Sequence, residues 1–246
     1  MPERLRLDQL LVARGLAATR SRARDAILRG AVSVGGVLAD RPGVTVGTDA
    51  EIAIDDDARR YVSRGALKLA AALDRFGFSP LGRIALDIGA STGGFTEVLL
   101  ERGAERVFAV DVGHDQLHPR LRADRRVEPL EGTNARDLTR DQVPVSPAAL
   151  VADVSFISLR LALPAALDLA APGAWLVALV KPQFEAGRDA VGKGGIVRDA
   201  ALAQSCVADI AKWLGEQPGW RVEGILPSPI AGGDGNREYL VGAQRG

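Results

Sequence analysis

Four ionisable residues stand where a fold of alternating strands and helices would bring them together: Lys68, Asp153, Lys181 and Glu238. Lys181 directly follows the apolar run WLVALV, a position where a charge is expensive unless it is paired. Asp153 follows ALVA and precedes VSFISL, Glu238 follows GGDGNR, and Lys68 lies in GALKLAAALDRF ahead of the first strand of the larger part. Two amines and two acids at the carboxyl edge of a parallel sheet, beside a glycine-rich loop, are an unusual set for surface decoration. They suit methyl transfer from a sulfonium donor to a ribose 2′-hydroxyl. The donor methyl is already electrophilic, so the protein must orient an in-line attack and manage one proton. A lysine serves as the base if a neighbouring cation and partial burial depress its pKa. Lys181 is expected in that role with Lys68 as its neighbour, while Asp153 and Glu238 orient the amines and balance charge.

The glycine-rich loop is LDIGASTGGF, residues 86–95. Gly89, Gly93 and Gly94 do not fit the G-x-G-x-x-G spacing of dinucleotide enzymes, but glycine still lets the backbone turn tightly and approach a ligand. The expected cofactor contacts here are Gly89, Ala90, Ser91, Thr92, Gly93, Gly94 and Phe95. Asp87 either orders the loop or holds a ligand ammonium through water. Asp111, with Val112 beside it, ends the second strand about twenty residues on, where a carboxylate reaches a nucleotide ribose. A nicotinamide enzyme would carry that acid too. Asn134 is a further adenine-contact candidate, and Asp153 borders both cofactor and chemistry. The expected cofactor is S-adenosyl-L-methionine, and no metal is expected.

The elements that must position these residues follow from periodicity. After residue 65 the strand candidates are IALDIG, RVFAVDV, RVEPLEG, AALVADVSF, AWLVALVKP, WRVEGILP and EYLVGAQR. Between them lie amphipathic stretches, clearest in TEVLLERG, SLRLALPAALDLA and DAALAQSCVADIAKWLG. Buried strands alternating with helices predict an α/β fold with a parallel sheet covered on both faces. The last two strands lack a helix-length connection, which predicts an antiparallel final strand inserted into a seven-stranded, Rossmann-like methyltransferase sheet. Residues 1–60 read differently, as a small α+β module. Leu7, Leu10 and Leu11 mark one helix, and Thr19 caps a second with Ala23, Ala26 and Ile27 on one face. The segments AVSV, VLA, VTV and EIAI then make a short antiparallel meander. The expected division is 1–60, a linker at 61–64 with an exposed acidic hinge Asp55–Asp57 before it, and 65–246.

Composition removes several classes. Net charge is zero, yet the opening stretch carries Arg4, Arg6, Arg14, Arg20, Arg22, Arg24 and Arg29, a local patch able to attract phosphate. There is no run of ~18 apolar residues, so no membrane partner is expected, and MPERLRLDQLLVARG lacks the features of a secretory signal. The one cysteine, Cys206, shares helical spacing with Leu202, Ile210 and Leu214 and reads as a core residue of a chain kept in a reducing, cytoplasmic compartment. His114 and His118 read as solvated loop residues.

RLDQLLVARGLAATRSRARDAILRGAVSVGG resembles the small S-four-like RNA-binding module. The resemblance implies that the second helix and adjoining strand present arginines to structured RNA; the expected RNA contacts are Arg4, Arg6, Arg20, Arg22 and Arg29, with Arg64 beyond the linker. The K-D-K-E order resembles the FtsJ-like ribose methyltransferases. SRGALKL, LDIGASTGGFTEVLL, DVSFISL, LVKPQFEAG and GNREYL resemble its TlyA (haemolysin A-like) branch, which also carries the small module in front. That resemblance covers nearly the whole chain and implies 2′-O-methylation of cytidine in ribosomal RNA, with RNA or ribosomal subunits as partner and a monomer favoured. Two positions depart from the family pattern. Arg59-Arg60-Tyr61-Val62 stands where R-A-W-V is frequent, and His114 stands where many relatives have tyrosine. The chain stops soon after Glu238, which favours large-subunit RNA as substrate. The competing expectations are a non-catalytic ribosome-assembly factor, a nicotinamide oxidoreductase and a membrane-lytic protein. The loops 182–199 and 226–237, glycine-rich and partly basic, adjoin the candidate residues and are placed to close over a flipped-out nucleotide.

Overall fold

The computed structural model describes residues 4–28, 30–54, 60–187, 192, 195–232 and 235–246. Arg29, the hinge Asp55–Asp57, Arg59, and Arg188, Lys193 and Gly194 of the basic loop lie outside the described residues. The chain forms two compact units, Met1–Arg59 and Arg60–Gly246. Residues 61–64, expected as a linker, lie in the second unit, where Tyr61 is buried among Ala66, Leu69 and Phe95.

In the first unit, α1 (Leu7–Ala13) packs on α2 (Arg20–Leu28) around Leu7, Leu11, Ala23, Ala26 and Ile27. The Thr19 hydroxyl accepts the Arg22 N–H at 3.3 Å, as a capping residue should. The expected meander is only partly present. β2 (Val32–Val34) pairs with β3 (Val37–Leu38) and β5 (Ile52–Ile54), but β4 (Thr45–Gly47) leaves them for β1 (Arg4–Arg6). The strand β1 carries two arginines in three residues and has no apolar alternation, so its pairing with β4 decides its state.

The second unit contains all seven expected strands: β6 (Ile84–Ile88), β7 (Arg106–Asp111), β8 (Val127–Glu131), β9 (Ala149–Ala152), β10 (Trp175–Val180), β11 (Trp220–Pro227) and β12 (Tyr239–Arg245). Their order is β11-β12-β10-β9-β6-β7-β8. Strands β6 to β10 run parallel, and β12 enters antiparallel between β10 and β11. One face carries α3 (Gly65–Phe76) and α4 (Gly94–Glu101) over Leu69, Leu73, Val98 and Trp175. The other carries α6 (Leu159–Ala162), α7 (Pro164–Leu169) and α9 (Ala200–Gly215) over Leu86, Leu150 and Leu176. The stretch 158–170, read as one helix, is two, because Pro164 has no N–H to continue the ladder and starts a new helix instead. Cys206 is buried, and desolvation first raises its thiol pKa. No described helix is long and apolar enough to cross a membrane.

Candidate active site

Strand order in the sheet reverses between β6 and β9, and in open α/β sheets the crevice at such a reversal, beyond the strands' carboxyl ends, receives ligands. The glycine-rich loop follows β6, Asp111 ends β7, Asp153 follows β9 and Lys181 follows β10. Because β12 is antiparallel and pairs Tyr239 with Val180, Glu238 immediately precedes its strand at the edge where Lys181 leaves its own. Chain reversal at one strand therefore brings residues 181 and 238 to one rim.

The four residues form two ion pairs. Lys68 Nζ donates to Glu238 Oε2 at 2.5 Å, with both groups buried. Lys181 Nζ lies 2.6 Å from Asp153 Oδ1, a close ion pair outside hydrogen-bond angles, and donates to Ser155 Oγ at 2.8 Å. Each amine thus has its own carboxylate, Glu238 for Lys68 and Asp153 for Lys181, a sorting the sequence did not specify. Lys68, Asp153 and Lys181 line one cavity of about 280 Å³ with Ser63, Arg64, Gly65, Ala90, Thr92, Gly94 and Phe95. Glu238 stands behind Lys68, outside that lining.

A second cavity of about 400 Å³ adjoins the first and shares Gly89, Ser91, Asp153 and Ser155 with it. Its far end is walled by Asp111, Val112, Gln116, Thr133 and Asn134, with Val110, Val154, Ile157 and Ala162 supplying apolar surface. Such a volume, apolar with a few convergent polar groups, is ordinary for a cofactor pocket. Asp111 accepts the Ser91 N–H on one oxygen at 2.8 Å and the Gly113 N–H on the other at 2.7 Å, so it ties the glycine loop to the end of β7. Gly89 has a φ of +83°, and a Cβ there would meet the Asp153 carbonyl oxygen at 2.6 Å. Only glycine lets β6 and β9 approach at the floor of both cavities.

Of the expected cofactor residues, Ala90, Thr92, Gly94 and Phe95 line the first cavity only, and two lie off both linings. Asp87 is fully buried beneath the loop, with Thr96 Oγ1 donating to Oδ2 at 2.6 Å and Oδ1 left without a partner. Burial pushes its carboxyl up to about 7 despite the Thr96 bond, and the charges of Asp153 and Asp111 push the same way. Gly93, at φ +96°, faces Leu117 and Leu121 of the neighbouring segment rather than a cavity.

Several of the expected RNA arginines have partners within their own unit. Asp8 is fully buried and accepts Arg6 Nε and Nη2, and Arg20 Nε, all at 3.0 Å. The Arg6 hydrogen bonds, ahead of the Arg20 contact, hold the Asp8 carboxyl down to about 2. Arg4 donates to the Thr45 carbonyl, and Arg14 to those of Ala50 and Thr48. Arg22 and Arg24 are exposed on α2, and Arg64 lines the reaction cavity.

Sequence reasoning missed three contributors. Ser155 stands where the two cavities meet and engages Lys181. Phe156 is 91% exposed with φ +65° beside the cofactor cavity, its ring 5.1 Å from that of Phe184. A bulky residue rarely adopts that conformation, and strain of this kind concentrates at functional sites. Glu185 accepts Ser158 Oγ at 2.5 Å and the Leu159 N–H at 2.9 Å, joining the segments that follow Asp153 and Lys181. An aromatic three residues past both Asp153 and Lys181 was the available signal for the Phe pair. Among the described residues no cluster could hold a metal ion.

Comparison with known proteins agrees with this fold. Residues 61–245 match the model of FtsJ-like methyltransferases, and residues 5–52 that of the S4 domain. The chain is 47% identical to the 16S/23S rRNA (cytidine-2′-O)-methyltransferase TlyA of Mycobacterium tuberculosis, over 98% of this chain and 90% of that one. It is 37% identical to the 23S rRNA (cytidine-2′-O)-methyltransferase TlyA of Campylobacter jejuni, over 73% and 69%. A solved structure from Streptococcus thermophilus carrying a hemolysin label superposes with a TM-score of 0.75 at 42% identity, covering 100% of this chain and 89% of the other. An O-methyltransferase from Bacillus cereus in complex with SAH shares the fold at 16% identity, with a TM-score of 0.52 over 74% and 80%.

Proposed function

The chain belongs to the TlyA branch of the FtsJ-like methyltransferases, and on that premise we propose that it methylates the 2′-hydroxyl of a cytidine in ribosomal RNA, of the large subunit alone or of both subunits, with S-adenosylmethionine. The observation that carries the proposal is the meeting of two cavities at Gly89, Ser91, Asp153 and Ser155, one suited to a nucleoside and the other lined by both lysines. Asp111 and Asn134 would hold the nucleoside end of the donor, and the polar residues at the shared boundary would hold its amino-acid end. When bound, that donor supplies a methyl group on a positively charged sulfur.

The protein's work is then orientation and one proton. The Lys181 ammonium first gives up a proton to solvent, and the neutral amine then accepts the proton of the 2′-hydroxyl as the oxygen forms its bond to carbon. Asp153, 2.6 Å from that nitrogen, balances the charge the amine acquires, and Ser155 accepts one of its N–H bonds and so fixes its direction. Lys68, held by Glu238, presents a fixed positive charge to the oxygen as it loses its proton. Phe156 offers an exposed ring face at the mouth for an unstacked base. The small front unit supplies affinity for structured RNA, with Arg22 and Arg24 exposed on α2. A ribosomal substrate places the activity in the cytoplasm.

The test is incubation of the purified full chain with S-adenosylmethionine and unmodified large-subunit or small-subunit RNA, followed by nucleoside mass spectrometry. The proposal expects 2′-O-methylcytidine in the large-subunit arm. Its absence there, with the protein folded and the donor bound, contradicts the proposal.

A further inference from the structure

Between β7 and the short helix α5 (Pro119–Arg122) the chain crosses the far end of the cofactor cavity as residues 112–118. Val112 and Gln116 of this segment form part of the cavity wall. Its ends are fastened elsewhere: the Gly113 N–H donates to Asp111 at 2.7 Å, and the His118 N–H to the Thr92 carbonyl of the glycine loop at 3.2 Å. Leu117 is buried against Gly93. The middle has no helix or strand to satisfy its backbone, and Asp115 adopts φ +53°, a conformation that L residues rarely take.

One side chain satisfies that middle. Glu131, the last residue of β8, accepts the Asp115 N–H at 3.0 Å on one oxygen, and those of Gln116 and Leu117 at 3.2 and 3.3 Å on the other. Arg122 donates to the same carboxylate at 2.6 Å. Arg122, followed by the backbone donors, holds this carboxyl down to about 2. At working pH it is an ionised, acceptor-only group facing four donors.

We propose that Glu131 is a positioning residue for the methyl donor, clamping residues 112–118 so that Val112 and Gln116 wall the nucleoside end of the pocket. The inference rests on the reading that this cavity takes S-adenosylmethionine. The nucleoside end is assigned because the opposite end borders Asp153 and Ser155, next to Lys181. Glu131 is not in the lining and acts only through the backbone it holds. Its loss therefore weakens donor binding and leaves the chemistry alone: a wall that must order on binding adds a cost that a preformed wall avoids.

Calorimetry on the full chain with S-adenosylmethionine and, separately, with adenosine tests this for wild type, Glu131→Gln and Glu131→Asp. The expected result is a Kd about tenfold weaker in Glu131→Gln for both ligands, by the same factor, with partial recovery in Glu131→Asp. The kcat at saturating donor stays within about twofold, while KM for the donor rises with Kd. Equal affinity in wild type and Glu131→Gln, or a fall in kcat without a rise in KM, overturns the inference and leaves the pocket's reading intact. A wild-type chain that binds neither ligand overturns the reading of the pocket and this inference with it. Should Glu131→Gln fail to fold, Arg122→Ala carries the test: both ligands weaken about threefold, and unchanged affinity refutes the clamp.

Discussion

Asp87 sits in the glycine loop's strand as a carboxyl with no exposure, one hydroxyl donor and an oxygen without a partner. Its ionisation at about 7 instead of the ordinary 3.8 is caused first by burial. A carboxyl whose pKa is raised in the folded state binds more protons there than in the unfolded chain between those two values. The stability it confers is fully present below pH ~4 and is lost as pH rises through ~7. At 1.36 kcal/mol per unit the full penalty is ~4 kcal/mol, more than half of which develops between pH 5 and pH 8. Asp87→Asn keeps an acceptor for Thr96 and carries no charge, so its stability lacks this pH dependence. Urea unfolding at pH 5, 6, 7 and 8, followed by the three tryptophans of the second unit, should show the variant gaining on wild type by roughly 2–3 kcal/mol across the range. At pH 8 the variant should be the more stable protein. A stability difference independent of pH, or a variant weaker at pH 8 than at pH 5 relative to wild type, refutes the reasoning. The retention of an acid that destabilises the fold at neutral pH fits a site where function and stability oppose each other.

Asp8 has the opposite sign: its pKa is lowered by Arg6 and then Arg20, so its contribution is present above ~4 and is lost as pH falls toward ~2. Asp8→Asn should cost the first unit about 2 kcal/mol at pH 7, read as roughly 30-fold faster hydrogen exchange at Leu10, Leu11 and Ile27; exchange within threefold of wild type would remove the buried carboxylate from the account. Gly89→Ala should cost ~2–4 kcal/mol and weaken S-adenosylmethionine binding at least tenfold, because the new Cβ meets the Asp153 backbone. Gly77→Ala, also left-handed but facing open space, should cost only about 1 kcal/mol and leave binding alone. Equal costs in thermal melts of the two would contradict the close-approach reading of Gly89.

Strands such as β9 and β10 of the larger unit were legible because each is an apolar run between turn residues, and the inserted last strand because no helix-length segment precedes it. What sequence does not encode locally was missed for identifiable reasons. Strand β1 is Arg-Leu-Arg, and its partner β4 lies some forty residues on. Pro164 marked a break inside an otherwise helical pattern, but the pattern outweighed it. The front arginines read as a free basic face because Asp8 gives no sign in sequence that it is buried beneath two of them. At the site, Lys68, Asp153, Lys181 and Glu238 were singled out from their positions in the pattern of strands and helices, while their sorting into two pairs depends on distances. Glu131 reads in RVEPLEG as a surface charge; its four donors come from a loop with no pattern of its own.

The central claim is that Lys181, poised on Asp153 and Ser155, carries the chemistry and not the binding. Single-turnover methyl transfer to large-subunit RNA by Lys181→Ala, alongside its Kd for S-adenosylmethionine, tests this most directly. A rate lower by about 10²–10⁴-fold with the Kd within about twofold of wild type is the predicted result. A rate within about threefold of wild type, with the protein folded and the donor bound, would contradict it.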